Sequence, residues 1–144
     1  MTTRMIFVNL PVTDLPRSMA FYTALGFTNE PRFTDETAAC MVWSDTIYAM
    51  LLTHDKWRTF TDRPIAAPGS SEVALALTCD SREEVDKLAE AAGANAGIAE
   101  INPTQDHGFM FSRSFGDPDG HVWEVFWMDP AVASGEAEVP EVTA

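Results

Sequence analysis

Three histidines (His54, His107, His121), two cysteines (Cys40, Cys79) and the run Asp117-Pro118-Asp119-Gly120 are the residues whose types could do chemistry. Imidazole and thiolate ligate metals and attack carbon, but each needs partners at a defined spacing. The cysteines stand far apart in apolar stretches with no Cys-x-x-Cys pair. That gives neither a dithiol centre nor a zinc knuckle, and both read as reduced, buried thiols. His54 opens a polar stretch; His107 precedes a strand, where it could touch a substrate. In the D-P-D-G run, Pro presets φ and Gly accepts a positive φ, so it reads as a turn. Period-two alternation beyond it puts Val122, Glu124, Phe126 and Met128 on one face of a strand. His121, Trp123, Val125 and Trp127 take the other, leaving His121 as a surface or interface residue.

The elements that must carry these residues form two similar runs. Residues 5–12 are short, apolar and β-branched, hence a strand. Asp14 is an N-cap, Leu15, Met19, Tyr22 and Leu25 recur at helical spacing, and Gly26 closes the helix. Strands are predicted at 27–33, 37–43 and 46–53, with a turn at Ser44-Asp45. Residues 54–71, with Pro64, Pro68 and Gly69, read as a connecting segment with a helical turn at 56–60, too long for an ordinary loop. A strand at 72–79 then leads into a helix capped by Asp80 or Ser81, striped by Val85, Leu88, Ala89 and Ala92, and ended by Gly93. Strands at 97–102, 108–115 and 121–128 complete a second β-α-β-β-β run. Val12 and Leu77 are spaced as Arg17 and Arg82 are, and Asp45 and Asp119 as Met50 and Glu124 are, so the halves align. The fold class is α+β, a single domain over 1–129 with modules at 5–53 and 72–129. A flexible acidic tail is expected at 130–144.

Charge narrows the partners. The 144 residues carry 9 Lys+Arg against 22 Asp+Glu, a formal charge of −13. Residues 1–65 hold seven acids and six bases, residues 66–144 fifteen acids and three bases. Recognition of polyphosphate needs clustered bases, so nucleic acid and anionic membrane surfaces are poor partners. The apolar run at the start is short and broken by Asn9 and Pro11, unlike a signal peptide, and no stretch is long enough to span a membrane. A cytoplasmic location is expected.

VNLPVTDLPRSMAFYTALGF, followed by FGDPDGHVWEVFW, resembles the vicinal oxygen chelate superfamily, which includes glyoxalases, extradiol dioxygenases, and fosfomycin- and bleomycin-resistance proteins. The likeness runs from about Met5 to Asp129. It implies paired βαβββ modules, each curling an open, cup-shaped mixed sheet, with sites usually completed across a homodimer. It also implies a metal held by up to four side chains from the first and last strands of each module. Those places fall here on Phe7, Met50, Glu72 and Glu124. Phenylalanine cannot ligate, and a thioether suits hard or borderline ions poorly. Half the usual set is therefore missing, and no cofactor is expected, although two carboxylates could hold a hydrated divalent ion weakly.

By the same resemblance Phe7, Asn9, Tyr48, Met50, Glu72, Arg113, Glu124 and Phe126 are expected to line a small-molecule pocket, with Glu72 and Glu124 as its catalytic candidates. Two carboxylates in one apolar pocket repel, so one could be a general acid or base. Both could instead stay ionised and receive a cation, or Arg113 could neutralise them. Three activities fit: metal-assisted isomerisation or ring opening, of the lyase or dioxygenase kind; metal-free sequestration of an amphipathic or cationic molecule; and metal-independent catalysis on Glu72 or Glu124.

Overall fold

The computed structural model describes residues 2–140. Strand β1 (Ile6–Val12) points Val8, Leu10 and Val12 inward and Phe7, Asn9 and Pro11 to the open side. It lies at a sheet edge, where Pro11's missing N–H breaks no ladder. Helix α1 (Leu15–Leu25) starts where the Asp14 carboxylate accepts the Arg17 N–H at 3.1 Å, and stops at Gly26, φ 110°. Pro31 cuts β2 to Thr28–Glu30; the predicted strand over 27–33 ends there in a 3-10 turn, Pro31–Phe33. Strands β3 (Ala38–Val42) and β4 (Ile47–Thr53) finish a sheet of order β1-β4-β3-β2, parallel only between β1 and β4.

The connecting segment begins with α2 (His54–Arg58), capped by the Thr53 hydroxyl, and continues without regular structure to β5 (Leu75–Thr78). β5 is therefore shorter than the predicted 72–79. Helix α3 (Arg82–Ala94) is opened by a reciprocal cap: Ser81 accepts the Glu84 N–H, and the Glu84 carboxylate accepts the Asp80 N–H. Gly93 does not end it. The helix runs one residue further, and Gly93 is needed for contact, since a Cβ there would lie 2.7 Å from the Ala99 Cβ.

The predicted strand at 97–102 is not formed. Ala96 takes a positive φ of 72°, and only Ile98 bridges to Gly116. The Asn102 N–H goes to the Ser114 hydroxyl at 2.8 Å instead of to a ladder. The fourth strand of this sheet is the two-residue β6 (Gln105–Asp106), beyond Pro103. With β7 (Met110–Gly116) and β8 (Val122–Met128) the order is β5-β8-β7-β6, repeating the first sheet. The expected tail opens with one helical turn, α4 (Pro130–Ala133), and residues 134–140 are exposed; 141–144 lie outside the described residues.

One core joins the modules. Phe21 and Tyr22 of α1, both fully buried, meet Phe115 and Trp123 of the second sheet at ring-centroid distances of 6.1 and 5.9 Å. Each such side chain contributes roughly 1.5–3 kcal/mol on burial. Polar contacts fix the register of the join. The Tyr22 hydroxyl donates to Asp117 Oδ2 at 2.6 Å and accepts the Trp123 indole N–H at 3.0 Å. Asp119 Oδ1 accepts the Thr13 N–H and hydroxyl at 3.0 and 2.7 Å. His121 Nε2 lies 2.7 Å from the Pro11 carbonyl, which can only accept, so that nitrogen carries the proton. The helix-facing sides of both sheets are used up in this core, leaving the opposite faces open for function.

Candidate functional site

On the open face of the second sheet, strand register sets Glu124 beside Ala76 of β5 and Ser114 of β7, and Ser112 beside Phe126. Asn102 and Pro103 of the preceding loop and Gln105 of β6 wall this face off, making a concavity of about 250 Å³ with Met110 and Arg113 also lining it. Ala76 is small, so nothing from β5 fills the space in front of Glu124. The Ser114 hydroxyl accepts the Asn102 N–H and donates to its carbonyl at 3.2 Å, pinning the wall to the floor. Arg82 fastens the far side: it grips Asp106 through two bonds of 3.0 and 2.8 Å, and donates to the Gly108 carbonyl. Its guanidinium also lies 5.0 Å above Phe111 and 5.4 Å above Trp127. The Arg82 hydrogen bond holds the Asp106 carboxyl down at about 2. Glu124, half-buried, takes part in no ion pair or hydrogen bond among the described residues, so it offers a free carboxylate to whatever enters.

The residues expected in one pocket fall into three places. Glu124, Phe126 and Arg113 line the concavity, the last with its charged end turned away to α3. Phe7, Asn9, Tyr48 and Met50 share the open face of the first sheet, where Phe7 and Tyr48 stack at 4.3 Å and the Tyr48 hydroxyl donates to the Asp45 carbonyl. Glu72 is exposed on the connecting segment, beside a separate cavity between the modules that Asn9 also reaches. The reason is register: Ala76 stands beside Glu124 as Asn9 stands beside Met50. Ala74 thus corresponds to Phe7, and Glu72 precedes it by two residues.

Arg113 neutralises neither glutamate. It projects from the helix-facing side of β7, where its Nη1 lies 3.0 Å from both Asp86 and Glu90 of α3. Trp123 is spent in the core and Trp127 lies under Arg82, so neither ring is open to a ligand in the concavity. Sequence reasoning missed Ser112, Ser114 and the 102–105 wall. Alternation along β7 would have found the serines, which share a face with Met110.

The family model for the Glyoxalase/Bleomycin resistance protein/Dioxygenase superfamily matches residues 4–125. The chain belongs to that family. Among solved structures it is similar to the hypothetical protein SA1046 from S. aureus, at 25% identity and TM-score 0.73, covering 88% of this chain and 95% of that one. A glyoxalase/bleomycin resistance protein/dioxygenase family enzyme from Burkholderia phytofirmans PsJN gives 17% identity and TM-score 0.71, with 88% and 99% covered. The fosfomycin resistance protein FosX from Mesorhizobium loti gives 16%, TM-score 0.65, and 95% and 100% covered. No curated protein matches the chain in sequence.

The donors present do not fit the metal centre that the family resemblance implies. Once register is applied, the four ligand places hold Phe7, Met50, Ala74 and Glu124, a single oxygen donor. Pairing a first module with the second module of another copy changes nothing, because each site would still receive one glutamate. Among the described residues no three His, Cys, Asp or Glu side chains converge on a common point.

Proposed function

We propose that this protein binds an amphipathic small molecule in the concavity of the second sheet, holding a cationic or N–H-bearing end against Glu124 and an apolar body against Phe126 and Met110. The observation that carries this reading is the free Glu124 carboxylate on the floor of a hollow in which Ala76, Pro103, Met110 and Phe126 supply apolar wall between polar groups. Such hollows with a few placed polar groups are the usual small-molecule design. A second copy is proposed to complete the site. Its first sheet would lay Phe7, Tyr48 and Met50 over the opening; Met5, Ile6 and Phe7 are 51%, 55% and 47% exposed and suit such a contact. The cytoplasm is the proposed location, which two unlinked, buried thiols favour.

Calorimetric titration with 9-aminoacridine, a planar cation, tests the binding. Saturable binding is expected, weakened about tenfold or more by Glu124→Gln, the scale of a lost charge-assisted hydrogen bond. No saturable binding, or binding indifferent to that substitution, overturns the reading. A metal-independent reaction in this hollow would depend on Glu124 as base. Turnover abolished in Glu124→Gln with binding intact would replace sequestration by catalysis.

A further inference from the structure

The cavity between the modules is larger than the concavity, at about 480 Å³, and lies within the range of small-molecule sites. Its floor is Asn9 and Pro11 of β1 with Val122 at the start of β8; its roof is the connecting segment from Thr61 to Val73. The roof touches the second module closely at one point. Gly120 holds a φ of +88°, and a Cβ there would come within 2.6 Å of the Pro68 carbonyl, so the segment rests directly on the D-P-D-G turn. The floor is firm, since His121 is bonded through Nε2 to the Pro11 carbonyl.

At the edge of this frame one buried polar group lacks a partner. The Trp57 indole N–H is shielded from solvent and meets no acceptor in the protein. An unmet buried donor is unfavourable by about 1–3 kcal/mol. Arg63 lines the same cavity and joins none of the ion pairs among the described residues. Ile65 and Leu75 supply apolar wall. A guanidinium and an amide among the apolar walls of this cavity, with the Trp57 indole at its edge, match a flat molecule ending in acceptor oxygens. Glu72, at the same cavity, opposes a second negative charge.

The geometry points to a second ligand site, in the seam between the modules, for an amphipathic aromatic monocarboxylate: its carboxylate meets Trp57 Nε1 and Arg63, and its ring lies against Pro11, Ile65 and Val122. The site is independent of the concavity and opposite in charge preference, so each can fail without the other.

Calorimetric titration of the full chain with 1-naphthoate tests it. One equivalent per chain is expected to bind saturably. Arg63→Gln and Trp57→Phe, the latter keeping an aromatic ring but losing the donor, each weaken binding at least fivefold. Glu72→Gln tightens it about threefold, and Glu124→Gln leaves it unchanged. The Trp57 indole resonance moves in step with the titration. No saturable binding by the wild type overturns the proposal, as does binding indifferent to Arg63→Gln and Trp57→Phe. Binding lost in Glu124→Gln puts the anion in the concavity and overturns it equally.

Discussion

Asp117 and Glu124 lie seven residues apart and meet opposite fates. Glu124 faces a hollow with its charge unpaired. Asp117 is 1% exposed, accepts from the Tyr22 hydroxyl, and takes the N–H groups of Asp119 and His121 at 3.0 and 2.8 Å. Burial pushes its pKa up, and neighbouring His121 and the hydrogen bonds pull back only in part. An acid whose folded pKa is raised binds more protons folded than unfolded, so its contribution to stability falls as pH rises above its ordinary value of 3.8. Asp106 does the reverse: held at about 2, it stabilises above the ordinary carboxylate range, and that contribution is lost as pH falls through about 2. Urea unfolding of Asp117→Asn is therefore expected to show a flatter loss of stability above about pH 4 than the wild type. An unchanged slope would mean burial does not govern this carboxyl.

At the scale of elements, the helices were legible because their ends are written in local chemistry: Asp14, Ser81 and Gly26 each act within a few residues. The open face of β8 was legible too, since alternation alone set Glu124 with Phe126, whereas Phe7 and Asn9 came only with the family resemblance. What escaped was register between strands and the path of irregular chain. Nothing local says that β5 starts at Leu75, so Glu72 read as a strand residue. The 97–102 stretch has strand-like residues, but the long-range Ser114–Asn102 bonds recruit it as a wall. Arg82 is likewise a tertiary device, invisible until α3 and the β6–β7 hairpin meet. Arg82→Ala is expected to leave the global unfolding midpoint nearly unchanged while amide exchange at Gln105 and His107 speeds up at least tenfold and 9-aminoacridine binding weakens. Exchange as slow as in the wild type would show the hairpin held by other contacts.

At the scale of the molecule, the join between modules carries the fold. Tyr22→Phe keeps the ring but strands the Trp123 N–H and Asp117 Oδ2 inside the core. A loss of about 1–3 kcal/mol is expected, read as a lower urea midpoint. A change within a few tenths would mean the contact is dispensable. Assembly is a separate matter: sedimentation equilibrium at micromolar concentration is expected to give twice 15.8 kDa. A clean monomer mass would remove the second copy from the binding reading. Charge follows the same division, with most of the excess acid in the module that supplies Glu124, a bias that favours cations at that hollow.

The bonds from Thr13 to Asp119 and from Tyr22 to Asp117 span 106 and 95 residues. On a ribosome adding roughly 5–20 residues per second, the first helix therefore waits about 5–20 s for the groups that anchor it. During that interval Phe21 and Tyr22 have no Phe115 or Trp123 to bury them. The nascent amino-terminal half is thus an exposed, sticky intermediate, and its solubility in the cell depends on how quickly the second half follows it out of the exit tunnel.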